Sequence, residues 1–287
     1  GGGLCKGGGA AYIDLQMEAM MIAPALHPET ICAPAPGRAL LRVGGADRVK
    51  FLQGLVTQDV SRVLREGIGY GALLTPQGKL LADFLLVAEA DALLIDVAEP
   101  LAEDLTRRLT LFRLRATVTI ERVALPVTRG LGPAPEGALA DPRAAGLGWR
   151  LYGVALEQGA PVDWDALHVA LGVPQTGTDL IPGESFILEA GFERLRGVDF
   201  RKGCYVGQEV TARMHHKTEL RRGLVRLALA GTVAPGTPVV MDDGREAGVI
   251  GTVAGDRALA LMRLDRLEGS LTAAGVAVAP LGDADRP

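Results

Sequence analysis

The chain has 287 residues, of which 48% are hydrophobic and 22% charged, and its formal net charge is −4. This length suffices for two or three compact units, and the composition is typical of a soluble globular protein. Neutralising nucleic-acid phosphates requires a basic face, so the acidic balance predicts no direct nucleic-acid partner. Charges interrupt every apolar run short of the roughly 20 residues that a membrane helix needs, which predicts no membrane partner.

The number of cysteines bears on the cellular compartment, and the opening segment bears on where the fold begins. Cys5, Cys32 and Cys204 are too few and too scattered for a disulfide framework, which predicts reduced thiols and a cytoplasmic location. The opening is glycine-rich, has no initiator Met and has no secretory core, so we interpret residues 1–18 as a leader outside the fold. The native start is left open among three methionines: Met17, Met20 and Met21.

The first half of the chain alternates strand and helix patterns. Residues 37–43 predict a strand, and a helix capped near Asp47 follows, with apolar residues three or four positions apart from Val49 to Val63. A second helix begins after Glu99, with Pro100 in its first turn. The other predicted elements of this half are strands over 69–75, 80–88, 92–97 and 116–123.

The second half changes from mixed to purely strand-like patterns. Residues 130–148 are rich in Gly, Pro and Ala and predict an extended connection. Asp163 is expected to cap a helix that runs to about Leu171 and ends at Gly172. From Arg222 onward, short apolar strands alternate with turns, which favours a small antiparallel barrel or sandwich. The fold class predicted by this order is α+β.

The most informative stretch is the octet Lys-Gly-Cys-Tyr-Val-Gly-Gln-Glu at residues 202–209. Nearby cations such as Arg201 and Lys202 stabilise a thiolate over a thiol, so Cys204 is a candidate nucleophile or soft metal ligand. The alternative is a small buried cysteine on a strand. The basic residues around Cys204 make full burial costly, so we favour the functional interpretation.

The octet resembles the K-G-C-[YF]-x-G-Q-E signature of the YgfZ family, the bacterial folate-binding relatives of the glycine cleavage T-protein. Members of that family are associated with assembly or repair of iron–sulfur clusters. The resemblance covers the chain from about Arg38 to the C-terminus. Three further segments are similar to the family pattern, in the expected order: 51–54 (Phe-Leu-Gln-Gly) with 57–59 (Thr-Gln-Asp), then 74–79 (Leu-Thr-Pro-Gln-Gly-Lys), then 188–192 (Leu-Glu-Ala-Gly-Phe).

The resemblance sharpens the expected architecture. It implies two intertwined α+β units around a central channel, followed by a C-terminal antiparallel β-barrel. The corresponding domains are 19–130, 131–220 with the octet, and 221–287. Periodicity by itself does not predict the channel.

A permanently bound metal is not expected. A cluster held by protein alone normally takes four cysteine thiolates or histidine substitutes, and beyond the leader this chain offers Cys32 and Cys204. Cys204 could still contribute one thiolate to a cluster shared with another protein or a small thiol. A Cys–His hydrolase, with His215 as the base, is a minority alternative.

A folate site accounts for more of the motifs. The resemblance implies that Glu189 holds the pterin and that Asp83 faces the reactive nitrogens of a tetrahydrofolate. Asp83 has independent support, because it interrupts the apolar run 80–87, where an unpaired charge would be costly. Arg213 is the candidate for the carboxylate tail, and the other basic residues considered for it are Lys217, Arg221 and Arg222. In the alternative interpretation, each of these residues is an ordinary surface or strand-face polar group.

These observations predict a tetrahydrofolate-binding protein that supports iron–sulfur cluster assembly or repair, with Cys204 and Lys202 as the catalytic pair. It is expected to be an accessory factor rather than an enzyme. The partners implied by the resemblance are iron–sulfur assembly proteins and client enzymes, among them radical enzymes that modify tRNA. The alternatives are a folate-dependent one-carbon transferase and a non-catalytic folate-sensing adaptor. The oligomeric state is left open.

Overall fold

The computed structural model describes residues 23–217 and 219–282. The leader predicted over residues 1–18 lies outside these described residues, as does the side chain of Lys217. The described chain divides into two compact units: the smaller contains residues up to 36, 125–140 and 148–162, and the larger contains 37–124, 141–147 and residues from 163 onward. The predicted domain boundaries at 130/131 and 220/221 remain predictions.

The smaller unit is built on a four-stranded antiparallel sheet with the order β1-β7-β9-β8. Its core contains Cys32 and Trp149, and Gly130 leaves the space for the indole, since a Cβ there would lie 2.3 Å from Trp149 Cζ2. Part of this sheet occupies the stretch for which an extended connection was expected. The strands are β1 (Ile31–Pro34), β7 (Val127–Leu131), β8 (Leu139–Ala140) and β9 (Trp149–Tyr152).

The larger unit begins with a five-stranded antiparallel sheet in the order β3-β4-β5-β2-β6. Four of these strands match their predicted bounds to within one residue at each end, and β6 begins three residues later than expected. The strands are β2 (Arg38–Gly44), β3 (Ile68–Leu74), β4 (Leu80–Ala88), β5 (Leu93–Ala98) and β6 (Thr119–Val123). The helices of this part are α1 (Arg48–Gln53), α2 (Val60–Glu66) and α3 (Glu99–Arg113).

The single helix predicted from the Val49–Val63 stripe is wrong, because the chain forms α1 and α2 with a break between them. Within the break Val56 bridges to Leu73 of β3, so this stretch follows the sheet instead of continuing the helix. Asp59 then starts α2 as its N-cap, with its carboxylate accepting from the Ser61 amide at 3.1 Å. The apolar spacing persists because both helices and the break face the same core.

Two helices follow in the larger unit, α4 (Trp164–Leu171) and α5 (Gln208–Lys217). The predicted ends of α4 are confirmed: the Asp163 carboxylate accepts from the Ala166 amide, and Gly172 adopts the left-handed conformation at φ 64°. The sequence analysis did not predict α5, which begins directly after the cysteine loop.

The chain ends in a closed barrel with the strand order β10-β13-β12-β11-β14-β15. Its interior is filled by small and branched apolar side chains, and Val169 of α4 packs against Leu224 and Leu259 on its outside. The α+β fold class with a C-terminal antiparallel barrel is therefore confirmed. The strands are β10 (Arg222–Leu229), β11 (Pro238–Met241), β12 (Glu246–Ala254), β13 (Arg257–Arg263), β14 (Leu271–Ala273) and β15 (Val276–Pro280). Among residues 23–217 and 219–282, no helix combines the length and apolar character required to span a membrane.

Candidate cysteine site and neighbouring cavity

Cys204 lies in the loop that leads into α5, and its thiol is exposed. The loop is fixed by a close backbone approach at Gly207, which has φ +82° and leaves no room for a Cβ beside the Thr75 carbonyl at 2.6 Å. On the other side of this contact, a Cβ on Gly78 would lie 2.9 Å from Val210 Cβ. Gly207 and Gly78 lie in two of the segments that resemble the family pattern. They allow the cysteine loop to pack closely against the turn after β3.

Lys202 is buried, with 9% of its surface exposed, and its ammonium points into the break between α1 and α2. It donates to the carbonyl oxygens of Gln53 (2.8 Å) and Gln58 (3.0 Å) and also to that of Val56. Burial lowers the pKa of Lys202 to about 8, against the ordinary 10.5. The sequence analysis expected this ammonium to activate the thiol, whereas the structure uses it to hold three backbone carbonyls.

The Thr-Gln-Asp segment at 57–59 anchors the chain that runs towards the cysteine. The buried Thr57 hydroxyl donates to the Gly197 carbonyl at 2.6 Å and accepts from the Ala72 amide at 2.8 Å. The Gln58 side-chain amide donates to the carbonyl oxygens of Tyr70 (2.9 Å) and Arg196 (2.7 Å). These side chains tie β3, the helix break and residues 196–197 together, and that framework positions residues 202–207.

The two histidines of α5 contact each other and neighbouring side chains. The His215 ring stacks on Phe200 at a centroid distance of 3.9 Å, and its Nε2 lies 3.0 Å from a Glu193 carboxylate oxygen. Its Nδ1 lies 3.3 Å from Nδ1 of His216. Both ring nitrogens of His215 therefore have partners among the described residues, and the Cys–His hydrolase alternative remains a prediction.

Asp83 lies on β4 and is buried, with 5% of its surface exposed. Its two carboxylate oxygens accept from the Tyr70 hydroxyl (3.0 Å) and the Thr176 hydroxyl (2.6 Å). Burial, and next the Asp83 charge, raise the pKa of Tyr70 well above its ordinary value, so the phenol stays protonated and donates. The Asp83 carboxylate, which would be costly in the apolar run of β4 without partners, is thus satisfied by two hydroxyl donors.

A buried arginine completes this group. The Arg143 guanidinium lies 5.5 Å from the Tyr70 ring centroid and makes two hydrogen bonds to Asp141, at 2.9 and 2.7 Å. The sequence analysis missed Tyr70, Thr176 and Arg143. Tyr70 could have been predicted, since it lies on the strand paired with β4. Thr176 and Arg143 are distant in sequence and carry no local signal.

A cavity of 410 Å³ lies between residues 178–189 and the outer surface of the barrel. Glu189 lines it together with Lys79 and Arg222, and Phe186 supplies an aromatic wall. Burial raises the pKa of Glu189, and the charges of Arg222 and Lys79 oppose that rise. The Lys79 ammonium sits 4.5 Å from the Phe186 ring centroid. The cavity thus combines a half-buried carboxylate, two cations and an apolar surface.

The structure does not bring all three predicted folate residues together. Of the residues that line the cavity in the described chain, Glu189 is one, whereas Asp83 and Arg213 are not among them. Arg213 lies on the exposed face of α5 and pairs with Glu209 at 2.8 Å. Within the described residues, no group of three or more His, Cys, Asp or Glu side chains could hold a metal ion.

Comparison with known proteins identifies the family. The human mitochondrial iron–sulfur cluster assembly factor IBA57 is 32% identical over 282 residues, covering 84% of this chain and 79% of that relative. The chain belongs to the IBA57 family. The mouse IBA57 is 31% identical with the same coverage, and the homologue from Mycosarcoma maydis is 33% identical over 71% of this chain. Residues 221–282 match the family model described as the CAF17 C-terminal beta-barrel domain.

Family membership refines the resemblance stated above, since the YgfZ proteins are the bacterial relatives of the IBA57 family. The fold is that of the aminomethyltransferase T of the glycine cleavage system: the enzyme from Bartonella henselae superposes with a TM-score of 0.70 over 94% of this chain and 88% of the other. The sequences are 14% identical, so this likeness shows the fold alone.

The predicted cytoplasmic location is contradicted by these relatives, which are named as mitochondrial proteins. The prediction used the absence of a disulfide framework as its argument. Free thiols indicate a reducing compartment, and that property does not single out the cytoplasm. The cysteine pattern therefore indicates a reducing compartment but does not identify which one.

Proposed function

We propose that this chain is an iron–sulfur cluster assembly factor in which Cys204 supplies one thiolate to a cluster shared with another protein or a small thiol. The observation that carries the proposal is the exposed Cys204 thiol on a loop docked by buried contacts, in a member of the IBA57 family. A docked loop presents the sulfur in one position, which favours ligand exchange with a partner.

The proposal requires a second molecule. A cluster normally takes four protein ligands, so one thiolate cannot hold it alone. Cys32, with 3% of its surface exposed, lies in the core of the smaller unit, and burial raises the pKa of its thiol. A buried thiol with a raised pKa is a poor metal ligand, so Cys204 is the available thiolate among the described residues, and the others would come from another protein or a small thiol.

The test is cluster transfer under anaerobic conditions. Ferric and ferrous iron, sulfide, glutathione and the chain are combined with an apo iron–sulfur enzyme, and reactivation of that enzyme is followed. Cys204→Ser should abolish the stimulation by the chain, because serine is a poor ligand for iron in these clusters. Cys32→Ser serves as the matched control and should leave the stimulation intact. Equal stimulation by wild type and Cys204→Ser would remove the proposed role.

The cavity supports a second component of the function, binding of a reduced folate. A pterin presents an edge of N–H donors that the Glu189 carboxylate can accept in pairs, and Phe186 offers an apolar wall. Arg222, which lines the same cavity, is suited to a carboxylate of the tail. The roles predicted for Asp83 and Arg213 remain predictions, as does the inclusion of tRNA-modifying enzymes among the clients.

Calorimetry with tetrahydrofolate tests this component. Glu189→Gln should weaken binding about tenfold or more, because the amide replaces one acceptor by a donor that opposes the pterin N–H groups. Glu184→Gln makes the same charge change in the lining of the same cavity and should bind as wild type does. Cys204→Ser should also bind normally. If the wild-type chain binds no tetrahydrofolate, the folate component is abandoned while the cluster proposal stands.

The one-carbon transferase alternative makes different demands. A transferase of the aminomethyltransferase type would depend on Asp83 and tolerate loss of Cys204. Aminomethyl transfer crippled by Asp83→Asn and spared by Cys204→Ser would favour that alternative over cluster assembly.

A further inference from the structure

Two adjacent histidines in the last turn of α5 bring one ring nitrogen each together. Neighbouring side chains on a helix diverge by about 100° around its axis, so adjacency alone does not produce such a contact. The Nδ1 atoms of His215 and His216 nevertheless lie 3.3 Å apart, and the ring planes meet at 84°. His216 is exposed, so the pair is open to solvent on its side.

The contact on the far side of His215 determines which of its nitrogens carries the proton. A Glu193 carboxylate oxygen lies 3.0 Å from His215 Nε2. Because an ionised carboxylate can only accept, Nε2 of the neutral ring is the protonated nitrogen and Nδ1 keeps its lone pair. The stack of this ring on Phe200, with 3.9 Å between centroids, holds the orientation. His215 therefore presents an unprotonated nitrogen to His216.

The spacing of the two Nδ1 atoms matches that of two ligands on one metal ion. Zinc binds histidine nitrogen at about 2.0–2.1 Å in tetrahedral geometry, which places two ligand nitrogens roughly 3.3 Å apart. The separation of the Nδ1 atoms in this pair is 3.3 Å. A metal-bound histidine also typically donates its other N–H to a carboxylate, as His215 does to Glu193. The pair thus has the ligand spacing and the supporting carboxylate of a metal site.

The charges around the pair favour a cation. The last turn of a helix carries the negative end of the helix dipole, and Glu193 adds a full negative charge beside His215. Among the residues that the structure describes, no third His, Cys, Asp or Glu side chain completes the ligand set. Water or a group from another molecule would fill the remaining positions, so the site is an open one.

We propose that His215 and His216 chelate one divalent transition-metal ion through their Nδ1 atoms, with Glu193 as the residue that positions His215. Imidazole ligands suit zinc, iron, copper and nickel rather than hard cations such as magnesium. Without metal, the contact is a hydrogen bond from Nδ1–H of His216 to Nδ1 of His215. Binding moves the His216 proton to its own Nε2, so no net proton is released. The site requires neither a folate nor Cys204.

Titration with Co²⁺ tests the proposal, since this ion accepts the same nitrogen ligands as zinc and absorbs visible light. The Cys5→Ser/Cys204→Ser background removes two competing thiols and leaves Cys32, which is buried. A single equivalent of Co²⁺ should produce visible absorption bands without the near-ultraviolet band of a cobalt–sulfur bond. Zn²⁺ should displace it, and an excess of Mg²⁺ should not.

Three variants in this background locate the ion. His216→Gln should weaken binding about tenfold or more, because one imidazole remains. Glu193→Ala keeps both ligands and should weaken binding about tenfold, since His215 loses the carboxylate that fixes its tautomer. In the metal-free Glu193→Ala chain, the imidazole ¹⁵N spectrum should show His215 as a mixture of tautomers. His27→Gln removes an exposed histidine outside the pair and should leave binding unchanged.

No Co²⁺ binding by the background chain would overturn the proposal and leave the pair as a hydrogen bond between two rings. Binding that survives His216→Gln, or that is equally lost in His27→Gln, would place the ion elsewhere and overturn it too. Long-range ¹H–¹⁵N spectra with Zn²⁺ are the independent measurement. Nδ1 should be the metal-bound nitrogen in both rings, with the His216 proton on Nε2, and coordination through Nε2 of either ring would contradict the chelate.

Discussion

Lys202→Met is expected to lower the free energy of unfolding by about 3 kcal/mol, since three backbone carbonyls lose a hydrogen-bond donor at about 1 kcal/mol each. Those carbonyls belong to Gln53, Val56 and Gln58, all at the break between α1 and α2. Urea unfolding measures the loss. Amide hydrogen exchange should accelerate across residues 54–59, because the break then opens more easily than the rest of the sheet.

The pH dependence of this effect has a definite sign. The pKa of Lys202 is lowered to about 8 in the folded chain, against 10.5 when exposed, so the unfolded chain binds more protons between these values. The contribution of Lys202 to stability therefore rises as pH increases from 8 towards 10.5, and below pH 8 it is constant. The stability deficit of Lys202→Met should grow over this interval. Tyr70 and Tyr205 have raised pKa values, so their contributions to stability change with pH in the opposite direction. Both tyrosines are present in the variant and in the wild type, so their contributions cancel in the difference between the two.

Lys50→Met is the matched control, because Lys50 is an exposed lysine of α1. It should change the free energy of unfolding by no more than about 0.5 kcal/mol. If the two lysine variants are equally stable, or if the deficit of Lys202→Met is independent of pH, the buried ammonium does not hold the break in solution.

Gly251→Ala is expected to destabilise the chain by about 3 kcal/mol through steric overlap. A Cβ on Gly251 would lie 1.9 Å from Asp179 Oδ1. That carboxylate cannot move freely, since it accepts from the Thr252 amide (2.8 Å), the Thr252 hydroxyl (2.6 Å) and the Gln175 amide (2.8 Å). The methyl group therefore forces residues 175–180 away from β12. Both Gly251 and Asp179 line the cavity, so ligand binding should weaken with stability.

Gly231→Ala is the control, because a Cβ there has its nearest neighbour at 3.4 Å, an ordinary van der Waals distance, and the change should be nearly neutral. A double-mutant cycle sharpens the test. Removing the carboxylate by Asp179→Ala also removes the clash, so Gly251→Ala should cost far less in that background than in wild type. Additive losses would show that the overlap with Asp179 is not the cause.

Much of the fold was predictable because it depends on short-range patterns. The strands of the larger sheet, the two ends of α4 and the antiparallel strands of the C-terminal part follow from apolar alternation, turn residues and capping residues close together in sequence. The choice of a barrel over a sandwich came from the family resemblance. The octet around Cys204 carried the family resemblance, and the chain belongs to the IBA57 family, whose human member is named as an iron–sulfur cluster assembly factor. Folate binding and the individual site roles remain predictions.

The break between α1 and α2 shows where local pattern fails. A stripe of valines and leucines at helical spacing is compatible with one continuous helix and equally with two helices packed on one core. The difference comes from the sheet, since Val56 bridges to Leu73 and Thr57 pairs with Ala72. Lys202 then fills the break from a position more than 140 residues along the chain.

By itself the sequence determined the secondary structure of most of the chain, the strand-rich character of its C-terminal part and the family resemblance, and it predicted Cys204 as the reactive thiol. The tertiary structure decided what the other candidates do: Lys202 holds carbonyls, Asp83 is satisfied by Tyr70 and Thr176, and Glu189 shares a cavity with Arg222. Periodicity and capping act over a few residues, whereas these contacts join segments up to 149 residues apart. Their partners are chosen by packing, so they exist only once the chain has folded.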